Sequence, residues 1–128
     1  MRTIKFRGYN RKNNEWLHGF YLQNRGAHFV CPDEFATNKG WDDYEVDPET
    51  VGQFTGLRDI NGTDIYEGDI LKVNYADEEN YLEVRFVRGV FAFLWNGDLD
   101  DEFPCNAPTH EWAKVIGNIH DNPELISK

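Results

Sequence analysis

Serine is almost missing from this chain of 128 residues: its one copy is Ser127, next to the last position. That removes a serine nucleophile from consideration, because such a group needs a base and an oxyanion pocket built around it. Cysteine is scarce too. Cys31 and Cys105 are too few for a disulfide framework and read as two free thiols of a reducing compartment. No apolar run nears the roughly 20 residues that cross a bilayer as a helix, and the opening MRTIKFRGYN has no apolar centre of a secretory signal. The expectation is a cytoplasmic protein with no membrane contact. Positive charge is missing from most of the length: beyond residue 25, seven Lys or Arg stand against 22 Asp or Glu.

What is present is aromatic and acidic. Four Trp, six Tyr and nine Phe in one small domain favour pleated, half-buried surfaces over helices, so the expected class is all-β. The net charge of −10 hides a split, since residues 1–25 carry six Lys or Arg against the single Glu15, giving +5, and the remainder carries −15. Acidity on this scale keeps a protein soluble and works against nonspecific DNA binding over most of its surface.

Thr3–Arg7 alternates polar and apolar residues, and Trp16–Leu22 puts Trp16, His18, Phe20 and Leu22 on one face. With the turn formers NRKNN between them, a hairpin is predicted. A strand at Ala27–Cys31 follows the turn Asn24-Arg25-Gly26. Residues 32–50 mix acids, glycine, proline and isolated aromatics without a period and read as a long loop with one helical turn. From Val51 the punctuation becomes regular: a strand to Phe54, turn signals at Gly56, Asn61-Gly62 and Glu67-Gly68-Asp69, then strands at Ile70–Tyr75, Tyr81–Arg88, Val90–Trp95 and Trp112–Ile119. Residues 97–110, GDLDDEFPCNAPTH, read as an exposed excursion too acidic and proline-rich for a strand. Asn122-Pro123 sets an N-cap before a first helical proline, which predicts a short C-terminal helical turn. The predicted division is an N-terminal β subdomain over 1–50, with its long acidic loop, and a small sandwich or barrel over 51–128.

Motifs that carry chemistry match poorly. Asp59-x-Asn61-x-Thr63 begins like a calcium loop, but Asp64 stands where glycine is needed and Ile70 where a bidentate glutamate belongs. The acids at Asp98, Asp100 and Glu102 fail in the same way. His28, Cys31, Cys105 and His110 hold a zinc-like ligand set, yet their spacings fit no familiar module, and His28 and Cys31 lie three apart on a strand and face opposite ways. Glu67 and Asp69 flank a turn glycine and read as caps. The glycines at 56, 62 and 68 lack the Lys-Ser or Lys-Thr and the helix of a phosphate loop. No cofactor or metal is expected. The one surface with recognition chemistry is the basic N-terminal hairpin, where Arg2, Lys5, Arg7, Arg11, Lys12 and Arg25 are interleaved with Phe6, Tyr9 and Trp16, the residue types that contact phosphates and stack on bases. Its bland reading is the solvent face of a strand whose charges pair with the acidic remainder.

Three segments, RTIKFRGYN at 2–10, VGQFTGLRDINGTDIYEGDILKV at 51–73 and KVIGNIHDNPEL at 114–125, together resemble the YopX family of phage and prophage proteins. The resemblance implies an N-terminal β subdomain, a C-terminal barrel of SH3-like type and a bacterial or phage genome as source. It implies no catalytic residue. The expected function is that of a noncatalytic accessory protein that binds a host or phage protein, alone or as a homo-oligomer. Its acidic surface suggests imitation of a nucleic-acid backbone, and the alternative is nucleic-acid binding through the basic hairpin. A hydrolase using cysteine or carboxylates trails behind both.

Overall fold

Short runs of aromatic and β-branched residues, cut by Gly, Asn and Asp, form antiparallel strands throughout the computed structural model, which describes residues 3–34, 38–75, 78–104 and 109–126. The mainly β class is as expected. Two compact units divide at Phe54, four residues beyond the predicted boundary, because the first residues of β4 (Gly52–Arg58) pair with β1.

In the first unit, β1 (Phe6–Asn10), β2 (Glu15–Asn24) and β3 (Ala27–Cys31) form a meander, with the start of β4 on the far side of β1. The register sets Phe6 against Gly19 and Asn10 against Glu15, so β1 lies three residues nearer the turn than its alternation suggests. Only the first half of β2 pairs with β1; its second half, Phe20 to Asn24, pairs with β3. Between the halves, a Cβ on Gly19 would overlap the carbonyl of Cys31.

The predicted loop over 32–50 is more ordered than its composition suggests. Trp41–Asp43 and Pro48–Thr50 are single 3-10 turns, and the stretch between them joins the free edge of β3. The amide of Val30 donates to the Tyr44 carbonyl at 3.0 Å, and that of Val46 to the His28 carbonyl at 2.9 Å. Tyr44 and Val46 are buried, and Val46 fills the space over Gly8, where a Cβ would come within 2.8 Å of it.

In the second unit, β4 runs on beside β5 (Asp64–Tyr66), followed by β6 (Asp69–Tyr75), β7 (Glu78–Val87), β8 (Val90–Trp95), β9 (Glu102–Pro104), α1 (Thr109–Trp112) and β10 (Lys114–Asn118). The sheet order is β10-β6-β7-β8-β9. Its core joins Ile65, Leu71, Val73, Leu82, Val84 and Phe93, with the Trp112 ring edge-on to Phe93 at 5.9 Å. Among the described residues the strands form no closed barrel, where the resemblance implied a C-terminal barrel of SH3-like type. The edge strand β9 is three residues long and ends at Pro104, which has no N–H with which to continue a ladder. That strand also corrects the reading of 97–110 as strand-free, since Phe103 pairs with Phe93 and Glu102 with Leu94. The terminal turn at Pro123–Leu125 forms as predicted, but the Asn122 side chain does not cap it and instead accepts from the Asn118 amide at 3.3 Å. Among the described residues, no helix is long and apolar enough to cross a membrane.

Candidate functional site

The β1–β2 hairpin was the sequence's best candidate, and the structure distributes its residues unevenly. Arg2 lies outside the described residues. Lys5 holds its ammonium over the Phe54 ring, 4.8 Å from the centroid, and Arg7 is buried with its guanidinium 4.9 Å over Trp16. Tyr9 meets the same Trp16 edge-on at 5.5 Å, and its hydroxyl donates to Asn14 Oδ1. Arg11 and Lys12 stand at the hairpin turn. Arg25 occupies a left-handed position in the β2–β3 turn, at the opposite end of the ten-residue β2 and so roughly 30 Å from Arg11 along the strand. The set is therefore not one patch.

Around the hairpin turn, Arg11 and Lys12 each meet an acid of the 32–50 segment. Arg11 donates from Nε to Asp47 Oδ2 at 3.1 Å and forms an ion pair there. Lys12 Nζ lies 2.9 Å from Asp42 Oδ2 and 3.0 Å from Asp43 Oδ1. Asn13 Nδ2 donates to Asp43 Oδ1 at 3.0 Å and the Gly40 amide to Asp43 Oδ2, so Asn13, Lys12 and Gly40 together hold the Asp43 carboxyl well below the usual carboxylate range. The same carboxylates raise the pKa of the Arg11 and Lys12 groups. Asn10, buried beneath them, donates to the carbonyls of Asp42 and Glu45 and fixes the acidic segment to the strand. An open groove of about 390 Å³ runs between Asn10, Lys12, Glu45 and Pro48. Met1–Phe54 thus carries seven Lys or Arg against eight acids, a net −1, and Thr55–Lys128 carries six against fifteen, a net −9.

The chemically suggestive groups of the second unit serve its turns. Asp59 is buried, and its Oδ1 accepts from the amides of Asn61 and Thr63 while Oδ2 accepts from Val115, each at 2.9 Å. Burial alone pushes this carboxyl up, but those amides outweigh it and hold the pKa below the ordinary value. Asp69 Oδ2 accepts from Tyr66 at 2.7 Å across the Gly68 turn. Among the described residues, no group of three or more His, Cys, Asp and Glu could hold a metal. His28 stacks on Tyr21 and hydrogen-bonds to its hydroxyl, Cys31 is buried with its thiol pushed up by burial, and Cys105 lies outside the described residues.

Two features escaped the sequence reading. Glu83 is wholly buried on β7, where Arg85, two residues on and on the same face, donates to it at 2.7 Å. The i, i+2 spacing of opposite charges was visible, but nothing in it marked Glu83 as interior. Apolar side chains also reach solvent on both units: Phe20, Leu22 and Trp41 on the first, and Phe86 and Val90 at the β7–β8 hairpin tip on the second.

The family model described as YopX protein matches residues 5–127. No curated protein matches the chain. Among solved structures, the chain is similar to the crystal structure of protein EF1440 from Enterococcus faecalis, at 25% identity and a TM-score of 0.57, with 99% of this chain and 100% of that one covered.

Proposed function

The chain belongs to the YopX protein family, and from that premise we propose that it is a phage- or prophage-encoded accessory protein of the bacterial cytoplasm that acts without catalysis, by binding another protein. The observation that carries this reading is the internal neutralisation of the hairpin turn, where Arg11 and Lys12 are engaged by Asp47, Asp42 and Asp43. A phosphate backbone approaching that turn meets carboxylates along with cations, so little of the counterion release that drives nucleic-acid binding is gained. The second unit, at −9, favours a partner with a basic face, a host DNA-binding protein included. Support for a noncatalytic role comes from the structural use of Asp59 and Asp69 and from the buried thiol of Cys31, whose raised pKa disfavours the reactive thiolate.

Affinity capture from host lysate with mass spectrometry, run beside a measured oligomeric mass, tests the reading. A partner retained at moderate salt is expected, and recovery of nothing above background counts against it. Single-stranded DNA and RNA test the alternative: binding at moderate salt that is lost on Arg7→Glu with Arg11→Glu replaces the proposal, and no binding even at low salt removes the alternative.

A further inference from the structure

Alternation puts Phe20 and Leu22 on one face of β2, and the register makes Leu22 the cross-strand neighbour of Phe29. The ring of Phe29 in turn meets Trp41 edge-on at 5.5 Å. Trp41, Phe29, Leu22 and Phe20 therefore form one continuous apolar row, and three of its members reach solvent, with exposures of 58% for Trp41, 37% for Leu22 and 46% for Phe20. Single exposed apolar side chains are ordinary, whereas a contiguous row marks a contact surface. At its Trp41 end the row opens on a shallow hollow of about 290 Å³ bounded by Lys39, Gly40, Trp41 and Tyr44, a volume that one large side chain can occupy.

The rim is acidic. Asp33 and Glu34 follow the end of β3, whose Cys31 is paired with Phe20. Glu45 bridges to Phe29, and Asp42 follows Trp41 directly. All four acids are exposed; Asp42 is paired with Lys12 and Lys39 borders the hollow, so Asp33, Glu34 and Glu45 carry the rim's negative charge. A second copy docking here through a two-fold axis would set this rim against itself, acid facing acid. A nucleic acid would meet the same repulsion.

We infer that this row is the docking surface for a protein segment presenting a large apolar anchor flanked by Lys or Arg, with the anchor in the Trp41 hollow and the cations on the acidic rim. The inference rests on the protein-binding reading above and names its surface and the chemistry of its partner. Aromatic anchors in such hollows carry most of an interface's affinity, while rim charges select the partner and speed its arrival.

The test is an NMR titration of the isotope-labelled full chain with two synthetic peptides that share a Trp-Leu centre, one flanked by lysines and the other by glutamates. The lysine peptide is expected to shift amides within 18–22, 27–30 and 39–45 and to bind at least about tenfold tighter than the glutamate peptide. Trp41→Ala, and separately Phe20→Ser with Leu22→Ser, are expected to weaken it at least about tenfold, the loss typical of a central anchor. Glu45→Lys with Glu34→Lys, changes confined to exposed positions, is expected to abolish the preference between peptides whether or not the apolar variants fold. Equal binding of the two peptides, shifts centred elsewhere, or dimerisation that Leu22→Ser abolishes would overturn the inference. A lysate partner captured equally by the wild type and the charge-reversed variant overturns this surface but leaves the protein-binding reading intact; capture by neither overturns both.

Discussion

Replacing Asp59 by alanine removes the acceptor for three backbone amides at once and so tests whether this carboxylate serves to hold its turn. A hydrogen bond to a charged acceptor contributes about 1.5–3 kcal/mol, and an amide left buried without one costs a comparable amount. The three are not equal. Asn61 and Thr63 sit in an exposed turn, where water can replace the carboxylate, whereas the bond to Val115 ties the turn to β10 across 56 residues of chain. Counting that bond in full and the turn bonds at a fraction gives a loss of about 3 kcal/mol, a large part of the 5–15 kcal/mol that folds a domain. With an unfolding entropy near 2.1 cal/mol/K per residue, a chain of 128 residues loses about 11 °C in Tm, and more if the second unit unfolds alone. Urea and thermal unfolding followed by tryptophan fluorescence read both quantities.

The pH dependence gives an independent check on the same residue. Because the folded pKa of Asp59 is lowered, its stabilisation is fully present above about pH 5 and is lost as pH falls through the unfolded value, near 3.9, towards the folded one. Asp59→Asn is expected to flatten that part of the stability curve and to be destabilised at neutral pH, since an amide offers fewer acceptor sites and presents N–H groups to one of the three donors. A Tm for Asp59→Ala within about 2 °C of the wild type would refute the reasoning.

Gly8→Ala drives a methyl against Val46 and is expected to cost about 1–3 kcal/mol, while Gly8→Ala with Val46→Ala should cost less than the sum of the two single changes, as a double-mutant cycle in urea would show. Gly19→Ala has no such rescue, because the obstacle is the Cys31 carbonyl; circular dichroism should find the variant strongly destabilised or unfolded. Arg85→Met strands Glu83 in the interior and is expected to lower stability by about 2–4 kcal/mol, with much of the loss recovered when Glu83→Gln is added. Iodoacetamide should label Cys31 only after unfolding, as peptide mass spectrometry can follow; rapid labelling of the native chain would contradict its burial.

The legible parts of the fold are those whose causes are local. Ala27–Cys31 and Val90–Trp95 form as strands with the predicted ends, because each is a run of strand formers opened by a two-residue turn, Arg25-Gly26 or Arg88-Gly89, with positive φ at both positions. Residues 38–50 were illegible for the opposite reason. Tyr44 and Val46 reach the edge of β3 through backbone bonds to residues far away in the chain, and no alternation signals a two-residue contact. The strand at Glu102–Pro104 was hidden by its charge and its proline, both of which an edge position tolerates.

By itself the sequence determined the mainly β class and the turns, since these follow from composition and from near-neighbour conformational preferences. It also determined the resemblance that became family membership. Tertiary structure alone decided where charge and apolar surface face. Whether Arg11 and Lys12 find Asp47 and Asp42 as partners, whether Glu83 is interior, and whether Phe20 and Leu22 line a core or an exposed row are questions of pairing across tens of residues. Alternation fixes which side chains share a face, but only the packing of distant segments fixes what that face meets.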